Sequence, residues 1–209
     1  MKFSNFEEWE PYYQQILEYF SFDRAKDEEA ARLLSGLLPH DDLSLLARQA
    51  ADQVVTVAGN AHALDREIGQ RRGRLWAADA AAERLWQQGI HPDAVFTDLD
   101  GTTESFMEMN TQGAIMVIHA HGDNMPLLRY WVPKFSGPVV GTTQSQPLFN
   151  IHNFGGFTDG DRAVFTANAL GAREVRIIGF DLNDPNVDPI KRGKLFWARE
   201  LLHLLGYDL

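Results

Sequence analysis

The stretch Ala94-Val95-Phe96-Thr97-Asp98-Leu99-Asp100-Gly101 is a short apolar run that ends in two aspartates. The same pattern recurs in residues 75–79, 115–123 and 175–181, which reach Asp79, Asp123 and Asp181. In an open parallel sheet the carboxyl ends of the strands lie along one edge, and ligands bind at that edge. We therefore expect these carboxylates to converge at one edge of such a sheet.

From residue 53 onward, short apolar runs alternate with helical patterns, which is typical of βαβ units. The predicted strands are residues 54–58, 74–78, 94–97, 114–118, 139–141 and 175–179. The predicted helices are residues 80–88, 125–135, 161–170 and 191–205. The sequence thus predicts an α/β fold with a mostly parallel, six-stranded, Rossmann-like sheet flanked by helices.

The first 50 residues follow a different pattern. Phe6, Trp9, Tyr13 and Ile16 recur at steps of three and four, which indicates an amphipathic helix. A second helix, capped by Asp27, and a third over residues 43–51 are expected to follow. We expect a helical N-terminal segment, residues 1–50, packed on an α/β domain formed by residues 51–209.

Composition narrows the possible functions. The net charge of -10 disfavours nucleic acid and anionic membranes as partners, since both attract basic proteins. There is no cysteine, which excludes disulfides and thiolate nucleophiles. No apolar run reaches the ~20 residues of a membrane helix, and the first residues lack the apolar stretch of a signal peptide. A cytoplasmic location is expected.

Asp98 and Asp100 are the strongest candidates for chemistry. Residues two apart in extended backbone point the same way, so both carboxylates could face one Mg²⁺ ion. Alternatively, one of them caps the next helix and the other is solvated. An Asp-x-Asp pair at a strand end also occurs in glycosyltransferases, so the pair alone does not define the reaction.

Three further motifs could contact a phosphate or a heterocycle. His119 and His121 could bind phosphate or a metal, or act only as hydrogen-bonding groups. The glycine-rich loop 153–160 opens a helix, and free N–H groups there bind anions, whereas Thr158 or Asp159 could simply cap it. Thr142, Thr143 and Gln144 offer groups that could recognise a heterocycle edge, although a plain turn is equally compatible. Lys191, Arg192 and Lys194 either neutralise phosphate or form a solvated helix start.

The order and spacing of these motifs resemble the archaeal 6-hydroxymethyl-7,8-dihydropterin diphosphokinases, the MptE-like family, over almost the whole chain. The matching pieces are Asp79, residues 89–93, 97–101, 119–124, 141–144, 153–162 and 179–181, and the segments 9–13 and 27–31. The middle section also resembles the catalytic domain of thiamin pyrophosphokinases. One departure is Gly59-Asn60-Ala61-His62, which stands where the MptE-like family typically has a Gly-Pro-Ser turn.

The resemblance implies transfer of a diphosphate from ATP to 6-hydroxymethyl-7,8-dihydropterin, with release of AMP, in folate or methanopterin biosynthesis. It implies Mg²⁺ held by Asp98, Asp100 and Asp123, with His121 beside them. Nucleotide or phosphate contacts would come from Gly59, Asn60, Asp79, His119, Thr142, Thr143, Gln144, Gly155, Gly156 and Arg162. Asn153 and Asp181 would recognise the pterin.

Small molecules are the expected partners, and a homo-oligomer is compatible with this interpretation. Three alternatives stay open at this point: thiamin or another alcohol as the acceptor, a nucleotide-sugar glycosyltransferase, and a non-catalytic nucleotide sensor.

Overall fold

The computed structural model describes residues 5–209, so residues 1–4 of the predicted N-terminal segment lie outside the described residues. The helices in this range are α1 (Phe6–Phe20), α2 (Arg24–Leu37), α3 (Leu43–Ala50), α4 (Leu64–Glu67), α5 (Ala80–Gln87), α6 (Glu104–Thr111), α7 (Met125–Trp131), α8 (Asp159–Ala169) and α9 (Pro189–Leu204). The strands are β1 (Val54–Ala58), β2 (Arg74–Ala78), β3 (Ala94–Thr97), β4 (Ile115–Ala120), β5 (Val139–Thr143), β6 (Ile151–His152) and β7 (Glu174–Ile178).

The strands form one parallel sheet in the order β6-β5-β4-β3-β2-β1-β7. The predicted six-stranded sheet was wrong by one strand, because β6 has two residues and is too short to give a periodic pattern. Two strands also run further than predicted, since β4 ends at Ala120 and β5 at Thr143.

Alternating side chains bury both faces of the sheet, as the period of a strand requires. In β2, Leu75 and Ala77 join the core beneath α2, α5, α6 and α7, whereas Trp76 joins the core beneath α3, α8 and α9. The helices therefore cover the sheet on both sides, which leaves its carboxyl edge as the place where polar strand ends can collect.

The N-terminal helices pack on both sides of this edge. Trp9 and Tyr13 of α1 share a core with Phe165 of α8 and Trp197 of α9. The buried residues of α2 instead join the core on the opposite face. The α1–α2 junction, residues 21–23, therefore crosses the carboxyl edge of the sheet.

One predicted helix start was wrong. The N-cap of α2 is Asp23, whose side chain accepts a hydrogen bond from the amide of Ala25 at 2.9 Å. Asp27 lies inside the first turn and is buried, with 3% of its surface exposed. No helix within residues 5–209 combines the length and apolar character needed to cross a membrane.

Candidate active site

A cleft of about 330 Å³ opens at the carboxyl edge of β2 to β5. Its floor is formed by the residues that follow these strands: Asp79, Asp98, Asp100, His121, Asp123 and Gln144. The α1–α2 junction, the start of α8 and the start of α9 form the remaining walls, with Phe22, Lys26, Asp27, Phe157, Asp159, Arg162, Lys191 and Lys194. We call this the acidic cleft. The strand-end aspartates that were expected to converge therefore do so, apart from Asp181.

Asp98 and Asp100 reach the acidic cleft by a different backbone path from the one expected. Leu99 between them has a φ of 71°, so the segment is not extended. The amide of Asp100 instead donates to Oδ1 of Asp98 at 3.0 Å. Leu99 itself is fully buried, so packing stabilises a conformation that a non-glycine residue seldom adopts.

Asp98 is held in its ionised form by the groups around it. Its Oδ2 lies 3.4 Å from Nε2 of His121. Burial works to raise the pKa of Asp98, but the hydrogen bonds from His121 and the Asp100 amide, together with the charge of Arg162, outweigh it and hold the pKa at about 2. Asp98 therefore presents a carboxylate at neutral pH.

Asp79 has the opposite behaviour. It follows β2 with a φ of 41°, and its Oδ1 accepts a hydrogen bond from Oγ1 of Thr97 at 2.8 Å. Burial, together with the negative charges of Asp98 and Asp100, raises its pKa to about 6 in spite of that hydrogen bond. The acidic cleft thus contains more negative charge than its surroundings stabilise.

The start of α8 adds an acid and a cation that face each other. Thr158 is the N-cap, and Asp161 completes a capping box with it, fully buried and accepting from the amide of Phe157 at 2.7 Å. Arg162 donates to Oδ1 of Asp159 at 3.0 Å. Burial and the charges of Asp98 and Asp79 raise the pKa of Asp159 well above its usual value, despite the opposing charge of Arg162.

Asp159 is a site residue that the sequence suggested only as a helix cap. The helix start carries two aspartates, Asp159 and Asp161, although one acidic residue is enough for capping, and this surplus could have indicated a role for Asp159 in the site. The sequence also did not indicate that the α1–α2 region contributes an acidic residue to the acidic cleft. That residue is Asp27, which lies among the apolar positions of α2.

A second cleft, of about 360 Å³, lies over β1, β2 and β7, and we call it the switch-point cleft. The connection after β1 leads to α4 on one face of the sheet, and the connection after β7 leads to α9 on the other. Ligands bind at such reversals in α/β sheets. Gly59, Asn60, Gly179 and Asp181 line it, and it shares Asp79, Thr158, Asp159 and Lys191 with the acidic cleft.

His119, Thr142 and Thr143 lie inside strands and line neither cleft. Nδ1 of His119 lies 3.1 Å from Oγ1 of Thr142, and the ring is 1% exposed. Burial, with the charges of Arg162 and His121, lowers the pKa of His119 well below its usual value, so the ring is neutral. His119 lies inside β4 and His121 follows the end of that strand, with their ring centroids 6.2 Å apart, and only His121 lines the acidic cleft.

Asn153, Gly155 and Gly156 also line neither cleft. Nδ2 of Asn153 donates to the carbonyl of Ser145 at 2.9 Å, and its Oδ1 accepts from the amide of Gly155. A Cβ on Gly156 would lie 2.5 Å from Cα of Arg162. In this structure the glycine-rich loop therefore serves close packing of the chain against the start of α8.

The acidic cleft suits a magnesium ion that arrives with a phosphate substrate. Within residues 5–209, no three His, Asp or Glu side chains are grouped closely enough to hold a metal ion by themselves. Mg²⁺, however, is usually bound by one or two carboxylates, substrate phosphates and several waters. The donor chemistry of Asp98 and Asp100 fits this arrangement, because both carboxylates line one cleft in which negative charge is in excess.

Comparisons with known proteins show the family of this chain. The family model described as 6-hydroxymethylpterin diphosphokinase MptE-like matches residues 55–187. Three relatives carry the name 6-hydroxymethyl-7,8-dihydropterin pyrophosphokinase. The protein of Methanothermobacter thermautotrophicus is 39% identical over 94% of this chain and 93% of its own length. The protein of Pyrococcus furiosus is 40% identical over 85% of this chain and 78% of its own length. The protein of Methanocaldococcus jannaschii is 33% identical over 95% of this chain and 94% of its own length. The chain therefore belongs to the 6-hydroxymethylpterin diphosphokinase MptE-like family.

Proposed function

We propose that this protein transfers a diphosphate group from ATP to the hydroxymethyl oxygen of 6-hydroxymethyl-7,8-dihydropterin. The observation that carries the proposal is the acidic cleft, where strand-end aspartates face Arg162, Lys191 and Lys194. Carboxylates and cations in one cleft suit a metal-bound polyphosphate. The names of the three relatives supply the acceptor alcohol.

In the proposed reaction, the hydroxymethyl oxygen attacks the β-phosphorus of ATP. A bond forms between that oxygen and the β-phosphorus, and the bond from the β-phosphorus to the oxygen bridging it to the α-phosphorus breaks. AMP leaves with the bridging oxygen, and the alcohol proton is released. Catalysis of this kind depends on positioning and charge stabilisation rather than on a covalent nucleophile.

The residues of the acidic cleft have separate parts in this reaction. Asp98 and Asp100 would hold Mg²⁺, with Asp123 on the neighbouring strand end, and the bound ion would neutralise phosphate charge. Arg162, Lys191 and Lys194 bind the phosphate oxygens. Asp98 orients His121, whose ring lines the same cleft and would lie beside the phosphates.

The two clefts suit two substrates whose reacting groups meet at the shared residues Asp79, Asp159 and Lys191. Gly59, Asn60 and Asp181 line the same cleft, although the sequence suggested nucleotide contacts for the first two and a pterin contact for the third. We therefore assign all three to one substrate. Asp181→Asn should raise the KM of that substrate and leave the KM of the other unchanged.

The decisive experiment identifies the products. The purified protein is incubated with Mg-ATP and 6-hydroxymethyl-7,8-dihydropterin, and the nucleotide and pterin products are separated and weighed by mass spectrometry. AMP and a pterin diphosphate in equal amounts are expected. Formation of ADP would contradict diphosphate transfer. Turnover of thiamin or a nucleotide-sugar, with none of the pterin, would replace the acceptor that we propose.

A further inference from the structure

Asp27 is a buried carboxylate that joins four parts of the protein. It lies in the first turn of α2 and is 3% exposed. Its Oδ2 accepts hydrogen bonds from the hydroxyl of Tyr13 in α1 at 2.7 Å and from Nε2 of Gln144 after β5 at 2.8 Å. Its Oδ1 accepts from the amide of Gly122 after β4 at 2.8 Å. Such a group is stable in the interior only because several donors satisfy it.

Each of the three donors is itself held in place. Tyr13 is fully buried, and burial together with Asp27 raises the pKa of its hydroxyl, which therefore remains protonated and a donor. The indole of Trp9 donates to the carbonyl of Gln144 at 2.8 Å. The N-terminal helices thus hold both Asp27 and one of its partners.

The third donor belongs to the loop that enters the acidic cleft. Gly122 lies between His121 and Asp123, and a Cβ at this position would lie 2.6 Å from Cβ of Lys26. Because Gly122 has no side chain, α2 packs directly against this loop. Asn124 anchors the other side of the loop, since its Oδ1 accepts from the amide of His121 and its Nδ2 donates to the carbonyl of Asp98.

We propose that Asp27 is a positioning residue for diphosphate transfer, which fixes the 121–124 loop so that His121 and Asp123 face the phosphates. This inference rests on the proposed function of the acidic cleft. Asp27 and Tyr13 lie outside residues 55–187, the part of the chain matched by the family model. The N-terminal helices therefore contribute to the active site through a defined hydrogen bond as well as through packing.

The test replaces the carboxylate without changing its size. Asp27→Asn turns one acceptor oxygen into a donor that faces another donor. We expect kcat to fall by roughly tenfold to a hundredfold, because small misplacements of site groups have effects of that size. Glu29→Gln, the same chemical change on an exposed residue of α2, should leave kcat unchanged. Tyr13→Phe removes one of the three donors to Asp27 and should lower kcat by a smaller factor. If Asp27→Asn does not fold, the kcat of Tyr13→Phe tests the inference in its place.

A mutant cycle separates positioning from a general structural effect. If Asp27 acts through the loop, adding Asp27→Asn to a variant that already carries His121→Ala and Asp123→Asn should reduce kcat little further. Losses that multiply, or a kcat for Asp27→Asn within twofold of wild type, would overturn the inference.

Hydrogen–deuterium exchange of residues 120–124 gives a readout without substrate. Exchange should accelerate there in Asp27→Asn and not in Glu29→Gln, and unchanged exchange would also contradict the inference. The wild-type protein failing to use the pterin would count against the proposed function alone, because the exchange experiment does not depend on it.

Discussion

Neighbouring aspartates in the acidic cleft differ in their acidity because they touch different groups. Asp98 receives hydrogen bonds from His121 and from a backbone amide, which hold its pKa at about 2 against the effect of burial. Asp79 is half-buried and lies near two like charges, and desolvation with these charges raises its pKa to about 6 despite hydrogen bonds with Thr97 and the Ala80 backbone. Environments that separate the pKa values of nearby acids are typical of active sites, because they give similar side chains different tasks.

Replacing the proposed magnesium ligands should reduce turnover without unfolding the protein. Asp98→Asn and Asp100→Asn each remove a negative charge from the cleft, and each should lower kcat by ~10² or more, the scale seen when a key electrostatic group is lost. Asp52→Asn is the matched control, because Asp52 is exposed before β1, at the amino edge of the sheet. Near-normal turnover in both cleft variants would rule out the metal role.

In the protein without ligands, the free energy of unfolding should depend on whether Asp79 is ionised. Its pKa rises on folding from 3.8 to about 6. Ionised Asp79 therefore destabilises the fold: the penalty is absent below about pH 4, grows towards pH 6 and is constant above. Asp79→Asn keeps an acceptor for Thr97 and should stabilise the protein by on the order of 1–3 kcal/mol above pH 6.

This prediction is checked by thermal unfolding at several pH values. The gain of Asp79→Asn over wild type should disappear near pH 4. An equal gain at pH 4 and pH 8 would show that the charge of Asp79 is not its cause.

At the scale of elements, the start of α8 is fixed by the close passage of the glycine-rich loop. Gly156 has a φ of +87°, and a Cβ there would meet the backbone of Arg162. The loop therefore determines where α8 begins, and with it the direction of Asp159 and Arg162 into the acidic cleft.

Gly156→Ala should accordingly be more destabilising than an ordinary change at a left-handed position. Gly171 is the matched control, because its φ is +83° and a Cβ added there would meet nothing within 4 Å. We expect Gly171→Ala to lower the free energy of unfolding by about 1 kcal/mol and Gly156→Ala by a further ~1–3 kcal/mol. Urea denaturation measures both. Equal losses would mean that the contact with Arg162 relaxes without cost.

The elements that sequence patterns predicted well are those with continuous apolar runs. The bounds of β1, β2 and β3 agree with the prediction because these strands are mostly apolar, with Thr56, Arg74 and Thr97 as their polar members. The helix α6 was missed since its residues are mostly polar and only Phe106, Met109 and Asn110 are buried. The strand β6 was missed because it has only two residues.

The site was predictable where it follows strand ends and unpredictable where distant parts meet. Asp79, Asp98, Asp100 and Asp123 each follow an apolar run, and parallel strands bring such positions together. Asp27 and Asp159 join them through the packing of α1, α2 and α8, which no local pattern encodes. His119 and His121 are neighbours, as their spacing suggested, but β4 ends two residues later than expected, and only His121 lines the acidic cleft.

At the scale of the whole molecule, the excess of negative charge should make magnesium a specific stabiliser. The net charge is -10, so any salt should screen some repulsion. In the presence of ATP, Mg²⁺ should raise Tm further than NaCl of equal ionic strength, because we propose that it binds in the acidic cleft together with the phosphates. The additional rise should vanish in the Asp98→Asn/Asp100→Asn double variant. Identical shifts with the two salts would contradict a magnesium site.

The position of β7 beside β1 has a consequence for synthesis of the chain. As residues leave the ribosome, β1 to β6 can pair one after another, yet β1 keeps an open edge until residues 174–178 emerge. Lys191 and Lys194 arrive later still, and they face a wall built by the first helices to be made. The proposed phosphate-binding residues Lys191 and Lys194 are thus made after the last strand of the sheet, whereas Arg162 is made before that strand.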